Sequence, residues 1–124
     1  MNPYGYGVDA YAVSSPVEVQ AVAAPGAVRN LVGTAAKNGS KRTITFSWAA
    51  PSDVGGSPLT GYQYRIKRGA GSWSSWESLA KTVTSLRYTV TARQAMSIQV
   101  RATTKPGGTV LVGVAIGASA TGPA

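Results

Sequence analysis

The sequence predicts an all-β fold, a sandwich of seven strands in two sheets with an extended N-terminal arm. Between residues 27 and 121, apolar and polar side chains alternate with a period of two, the repeat of a half-buried β-strand. The 15 glycines and 7 prolines cluster between many of these segments, where turns are needed. No segment keeps the 3.6-residue apolar period of an amphipathic helix for long enough to predict one.

The chain divides by charge into an arm and a body. Residues 1–25 contain Asp9 and Glu18 but no Lys or Arg, so this predicted arm carries a charge of −2. All twelve cationic side chains follow it, within residues 26–121, which form the predicted sandwich. Residues 122–124 form a short C-terminal tail. The length of 124 residues suits one domain.

The arm has the composition of a binding segment. Disordered tails are usually poor in aromatic and β-branched side chains, and this segment has three tyrosines and an alternating valine pattern. We expect it to bind by strand addition or aromatic anchoring, on a neighbouring copy of the chain or on a different protein. The candidate partner-binding residues of the arm are Tyr4, Tyr6, Tyr11, Val17 and Val19.

Alternation also predicts which side chains of the body form the core. The dipeptide Asn38-Gly39 is expected to supply the positive φ angles of a tight hairpin before the second strand. The second and third strands direct Ile44, Phe46, Trp48, Tyr62, Tyr64 and Ile66 inward. The later strands direct Leu86, Tyr88, Val90, Met96, Ile98, Val100, Ala102, Val110, Val112, Val114 and Ile116 inward.

Several local sequences occur in the order of a known fold. They are Pro25 with Leu31, Ile44-Thr45-Phe46-Ser47-Trp48 before Pro51, Gly55-Gly56-Ser57-Pro58-Leu59-Thr60-Gly61-Tyr62, Val100-Arg101-Ala102 and the Gly107-Gly108 turn. In this order they resemble a fibronectin type III domain over about residues 25–121. The departure is Met96, where the family usually has the tyrosine of its corner motif. The resemblance implies a binding or spacer module without catalytic residues.

Composition removes most enzyme chemistry. The chain has no Cys and no His, which excludes thiolate and imidazole metal sites, Ser-His nucleophile systems and disulfides. The carboxylates of the body, Asp53 and Glu77, lie in turn-like segments with no motif around them. We therefore predict a non-enzymatic protein with no catalytic residues, no cofactor and no metal site.

Cationic side chains are predicted to share one face of the sandwich. If the third and sixth strands are neighbours, as in the resembled fold, Arg65, Lys67 and Arg101 point outward together. Either solvent screens these like charges or an acidic partner covers them. Nucleic acid is not the expected partner, because the basic residues are otherwise dispersed and no recognition motif is present.

Two tryptophans lie outside the alternating segments. Trp73 and Trp76 belong to a stretch rich in Gly and Ser that follows the third strand. Such indoles either cover the rim of the core or provide contacts to a sugar ring or a protein. We expect packing for Trp73 and leave Trp76 open between the two roles.

The leading functional hypothesis is a virion accessory protein of a tailed bacteriophage, in particular a capsid decoration protein or else a tail component. The chain resembles the stand-alone fibronectin-like modules of phage particles. Its arm and basic face would bind the major capsid protein or another virion protein, with assembly in the host cytoplasm and a weak contact to host-surface carbohydrate. The N-terminus lacks the pattern of a secretory signal, and no membrane association is expected.

The alternative hypothesis is a carbohydrate-binding or spacer module of a bacterial secreted or surface protein. Trp76, Trp73 and nearby tyrosines would then form the sugar platform, and the protein would act outside the cell or on its surface. General nucleic-acid binding is the third alternative, and it predicts an affinity that falls steeply with salt.

Overall fold

A computed structural model of the protein describes residues 22–124 and places eight β-strands along them. The strands are β1 (Arg29–Asn38), β2 (Lys41–Ala49), β3 (Leu59–Arg68), β4 (Glu77–Ala80), β5 (Ser85–Val90), β6 (Ala95–Thr104), β7 (Leu111–Val112) and β8 (Ile116–Thr121). A short 3₁₀ turn at Pro106–Gly108 precedes β7. The arm residues Tyr4, Tyr6, Tyr11, Val17 and Val19 lie outside the described residues, so their predicted role in binding stays a prediction.

The strands form two antiparallel sheets. The smaller sheet has the order β1-β2-β5, and the larger sheet has the order β4-β3-β6, with β7 and β8 both paired to the far edge of β6. The all-β prediction is confirmed. The predicted seventh strand is present as two segments, β7 and β8, along that edge.

The core lies between the two sheets, where alternation predicted it. The apolar side chains with at most 1% exposure come from both sheets and are Ile44, Phe46, Tyr62, Met96, Ile98, Val100 and Ala102. Trp48 and Tyr62 meet edge to face at 5.6 Å between ring centroids, an arrangement that aromatic pairs prefer. Met96 occupies the corner position as a fully buried apolar side chain, so packing replaces the hydroxyl contact of the resembled family.

The first hairpin differs in detail from the prediction. Asn38 still pairs with Lys41, so the loop consists of Gly39 and Ser40. Gly39 has a φ of 63°, and Asn38 has no positive φ. The prediction that both residues of Asn-Gly take positive φ was wrong, because the ladder of β1 and β2 extends one residue further than expected.

The last strand is the main correction to the predicted core. Val110, Val112 and Val114 were expected to point inward, and they are 53%, 37% and 67% exposed. A Cβ atom on Gly113 would lie 2.6 Å from the carbonyl oxygen of Pro25, so the backbone of the N-terminal segment already occupies the inner side there. The valines therefore face outward. The pairing with β6 then shifts by one residue, which leaves Ile116 packed against the core as predicted.

The beginning of the described chain is hydrogen-bonded to the loop between β2 and β3. The amide of Ala23 donates to the carbonyl of Gly55 at 3.0 Å, and the amide of Gly26 donates to that of Asp53 at 2.8 Å. The side chain of Asp53 accepts from the amide of Gly55 at 2.8 Å, so this carboxylate stabilises the loop. The last residues of the predicted arm thus contact the sandwich.

The C-terminal residues also contact the sandwich. The amide of Gly122 donates to the carbonyl of Gln94, and Arg42 Nε donates to the carbonyl of Pro123 at 2.9 Å. Within residues 22–124, no helix is long and apolar enough to cross a membrane.

Candidate functional site

The outer face of the larger sheet gathers the predicted cationic residues. Strands β3 and β6 are neighbours, and their register sets Arg65 opposite Gln99, Gln63 opposite Arg101 and Lys67 opposite Ser97. Residues directly opposite in an antiparallel pair share a face. Arg65, Lys67 and Arg101 therefore lie on one surface, as the sequence predicted.

The segment between β3 and β4 is fixed beside this surface by one serine. The amide of Ser74 donates to the carbonyl of Ile66 at 2.8 Å, and the amide of Ile66 donates to Ser74 Oγ at 3.0 Å. These two bonds tie the segment to the edge of β3. As a result, Trp73 and Trp76, which flank Ser74 and Ser75 in sequence, lie over the outer face, and both are partly buried there.

The rings of Trp73 and Trp76 each contact two of the three cationic side chains. The centre of the Trp73 ring lies 5.1 Å from both Lys67 Nζ and Arg65 Cζ. The centre of the Trp76 ring lies 4.7 Å from Arg65 Cζ and 3.9 Å from Arg101 Cζ. All four distances are within the range of cation–π attraction. The order across the sheet is Lys67, Trp73, Arg65, Trp76 and Arg101, and we name these five residues the cation–π ladder.

Two glutamines hold the arginines of the ladder in place. Arg65 Nε donates to Gln99 Oε1 at 2.8 Å, and Arg101 Nε donates to Gln63 Oε1 at 2.9 Å. Each of these guanidinium groups thus lies over an indole ring, and its Nε donates to a glutamine side chain. The remaining guanidinium N–H groups are the ones that a ligand can use, and their orientation is set before a ligand binds.

The positive charge of the ladder is not balanced by carboxylates of the described chain. Residues 22–124 contain twelve cationic side chains and two carboxylates, a net charge of +10. Asp53 lies in the β2–β3 loop, and Glu77 pairs with Tyr64 on the other face of the sheet. Burial, and to a smaller extent the charge of Arg65, lower the pKa of Arg101 below its ordinary value. The site is therefore an electropositive surface suited to anions.

A shallow groove continues the site from Trp73 towards β8. Its volume is about 400 Å³. On its floor, Ser97 pairs with Ser119 and Gln99 pairs with Gly117. The outward positions there therefore carry small or flexible side chains, or none at Gly117. The hydroxyls of the two serines are 2.9 Å apart and hydrogen-bonded. The groove thus offers a polar floor beside an aromatic wall.

Known proteins share the architecture at low sequence identity. No family model matches the chain. A computationally redesigned β-sandwich protein superposes with a TM-score of 0.55 and 15% identity, covering 76% of this chain and 90% of that chain. A myokine structure superposes with a TM-score of 0.53 and 12% identity, covering 82% of this chain and 100% of that one.

A crystal structure of neighbouring domains from titin superposes with a TM-score of 0.51 and 16% identity, covering 94% of this chain and 34% of that chain. The fold is a fibronectin type III-like β-sandwich. Identities this low show a shared fold and carry no function across. The features that indicate the function of this fibronectin type III-like sandwich are therefore those of its own surface.

The sequence predicted which cationic side chains share the outer face, but not that the two tryptophans stack against them. The outward positions of β3 and β6 predict that Arg65, Lys67 and Arg101 lie together. For the tryptophans, the sequence predicts packing of Trp73 and leaves Trp76 open between packing and a sugar or protein contact. Gln63 and Gln99 were not recognised as supports of the ladder. The signal for them was present, because both occupy outward positions opposite an arginine once β3 and β6 are paired.

The cation–π ladder of this fibronectin type III-like sandwich offers the chemistry of anion recognition. Residues 22–124 contain no group of three or more His, Cys, Asp or Glu side chains that could hold a metal ion. The ladder supplies fixed hydrogen-bond donors and positive charge. These features suit the binding of carboxylate, phosphate or sulfate groups.

Proposed function

We propose that this protein is a non-enzymatic virion accessory protein, a bacteriophage capsid decoration protein or tail component, that binds an acidic surface of assembled coat subunits. The observation that carries the proposal is the cation–π ladder, a preorganised cationic surface. Neither of the two carboxylates in residues 22–124 pairs with its cations. The acidic, tyrosine-rich arm at residues 1–25 would add a second contact, to the coat or to a neighbouring copy.

An exposed valine on the same face, with two further exposed valines near it in sequence, supports a protein partner. Val112 pairs with Thr103, two residues beyond Arg101 on β6, so Val112 and Arg101 share the outer face. Val110 and Val114 are exposed on either side of it. Protein interfaces combine apolar contacts with a few charged anchors, and arginine is enriched among those anchors.

The ladder also bears on the carbohydrate alternative. Sugar-binding sites commonly use an open aromatic face as a platform, whereas each indole here is flanked by two cationic groups. In this arrangement Trp73 and Trp76 position Arg65 and Arg101. This observation favours the protein-binding hypothesis over a carbohydrate-binding module.

Binding to an assembled shell would make modest contacts effective. A ligand that binds only the assembled state stabilises that state by mass action. Repeated coat subunits also present many copies of one acidic site, so an oligomer of this protein would gain avidity. The fixed geometry of the ladder reduces the entropy lost on binding.

The proposal is tested by looking for the protein on virus particles. Particles are purified on a density gradient from lysates of cells in which the gene is expressed from its natural genomic location. An immunoblot of the gradient fractions then detects the protein. We expect it to co-sediment with the particles. Absence from the particle fraction, together with recovery in the cell-wall fraction, would contradict the proposal and favour the alternative.

A matched pair of variants assigns the attachment to the ladder. Arg65→Gln with Arg101→Gln removes two positive charges from the ladder, and Lys81→Gln with Lys105→Gln removes two from exposed turns. We expect the first double variant to be lost from particles and the second to be retained. Circular dichroism of both purified variants establishes that each is folded. Equal loss of both would indicate general charge attraction.

A further inference from the structure

The ladder exposes one binding edge on each arginine. Each guanidinium group lies over an indole and each Nε donates to a glutamine, so the other N–H groups remain for a ligand. Two parallel N–H groups of a guanidinium match the two oxygens of a carboxylate. Arg65 and Arg101 therefore each present a fork suited to one carboxylate.

Along the strand direction, the cations of β3 and the neighbouring β6 are spaced by the period of a β-strand. Lys67 and Arg65 are two residues apart on β3, and Arg101 lies opposite Gln63, the next outward position. Every second residue of a strand advances by about 6.6 Å. An extended chain with carboxylates at alternate positions has the same repeat.

The groove beside Trp73 can accommodate the backbone of such a chain. Gly117 has no side chain there, and Ser97, Ser119 and Gln99 provide polar groups on the floor. The amide of Gln99 accepts from Arg65 through its oxygen, so its NH₂ group is available for a carbonyl of a ligand. The groove and the ladder are continuous through Trp73.

We propose that the ladder and groove bind an extended acidic segment of a partner protein, an inference that rests on the proposed function. Carboxylates at alternate positions of that segment would bind Lys67, Arg65 and Arg101. Trp73 and Trp76 act as positioning residues. A polypeptide is favoured because Val112 is exposed on the same face. Base stacking is less favoured, because each indole already lies against two cationic groups.

Synthetic peptides test the inference on the full chain. The first probe alternates glutamate with threonine and valine, and the second has the same composition with the glutamates contiguous. Isothermal titration calorimetry at low and at physiological ionic strength separates patterned recognition from general attraction. We expect the alternating peptide to bind about tenfold more tightly, a difference typical of one charge-assisted contact. Equal affinities would overturn the inference.

Three variants locate the peptide. A Cβ on Gly117 would make ordinary contacts of 3.5 Å with the Ile98 carbonyl, so Gly117→Val should fold and fill the groove. We expect Gly117→Val and Arg101→Gln each to weaken the alternating peptide about tenfold. The matched control Lys105→Gln should change the affinity less than about twofold, as screened surface charges do. Equal effects of Arg101→Gln and Lys105→Gln would overturn the inference.

The outcomes separate this inference from the proposed function. Particle association without preference for the alternating peptide would overturn the inference and leave the proposed function standing. Recognition of the alternating peptide without particle association would overturn the proposed function and leave the inference standing. Tighter binding of a sulfated oligosaccharide or of single-stranded DNA than of the alternating peptide, abolished by the same variants, would replace the polypeptide with that ligand.

Discussion

The guanidinium carbon of Arg101 lies 3.9 Å from the centre of the Trp76 ring, and Arg65 contacts the same ring at 4.7 Å. One indole thus links cations from two neighbouring strands. Like charges on adjacent strands repel, and burial together with Arg65 lowers the pKa of Arg101. The electron-rich ring between the guanidinium groups offsets this repulsion, which explains how the face can hold three cations without a carboxylate from residues 22–124.

This relationship predicts a measurable coupling between Trp76 and Arg101. In a double-mutant cycle with Trp76→Leu and Arg101→Gln, we expect a coupling free energy of about 1 kcal/mol, the size of a partly desolvated cation–π contact. Urea unfolding of the single and double variants provides the measurement. The matched cycle of Trp76→Leu with Lys105→Gln should be additive. A ladder cycle that is also additive would show that the stacking contributes nothing to stability.

A second prediction concerns two adjacent threonines of β6. The Thr104 hydroxyl is fully buried and has no hydrogen-bond partner among the described residues, whereas Thr103 Oγ1 lies 3.3 Å from Thr60 Oγ1. Thr104→Val removes a desolvated polar group at nearly constant volume and should raise the free energy of unfolding by about 1 kcal/mol. Thr103→Val should lower it by about 0.5 kcal/mol, because a hydrogen bond is lost.

Thermal and urea unfolding check both threonine variants. For a domain of this size, a gain of 1 kcal/mol corresponds to a rise in Tm of about 5 °C. The opposite signs expected for neighbouring, chemically identical substitutions make the comparison selective. Destabilisation by Thr104→Val comparable to that by Thr103→Val would show that the Thr104 hydroxyl has a partner.

The third prediction is a loss of stability at high pH that depends on Tyr88. Burial, with a smaller effect of Tyr64, raises the pKa of Tyr88 above its ordinary value of 10. The unfolded chain therefore ionises this phenol first as the pH increases. The stabilising effect is complete below pH 10 and decreases as the pH rises above it.

Urea unfolding across the alkaline range measures this dependence. Tyr88→Phe has no phenol to ionise, so its unfolding free energy should decline less steeply than that of the wild type above pH 10. The difference between the two proteins at neutral pH serves as the reference. Parallel curves for the two proteins would contradict the assignment.

Alternation predicted the core of β2 and β6 because it depends on local geometry alone. Successive side chains of a strand point to opposite faces, so Ile44, Phe46, Ile98 and Val100 had one possible arrangement once a sandwich was assumed. The same rule failed at Val112, where the backbone of Pro25 occupies the inner side. A contact between residues far apart in sequence cannot be derived from a local pattern.

The candidate site shows the same division between local and non-local information. Pairing of β3 and β6 followed from the fold and correctly grouped Arg65 with Arg101. The positions of Trp73 and Trp76 depend instead on the bonds of Ser74 with Ile66, between an irregular segment and a strand edge. Nothing in the spacing of the tryptophans specifies that attachment, so their stacking on the arginines could not be predicted.

The fourth prediction tests the contact that reversed the valines. Gly113→Ala would place a Cβ 2.6 Å from the Pro25 carbonyl oxygen and 2.9 Å from that of Gly26, so backbone must move. We expect a loss of about 2 kcal/mol in unfolding free energy, the cost of overpacking a close backbone contact. Displacement of this segment should also accelerate hydrogen exchange at the Gly26 amide, which donates to the Asp53 carbonyl at 2.8 Å.

Gly117→Ala is the matched control on the same edge of the larger sheet. Its Cβ would make only ordinary contacts, and the Gly117 backbone has no positive φ, so stability should be unchanged or slightly increased. If Gly113→Ala were as stable as this control and the Gly26 amide stayed protected, the N-terminal segment would not determine the outward turn of Val112. The outward position of Val112 would then have to be attributed to the pairing of β7 with Thr103 and Thr104 alone.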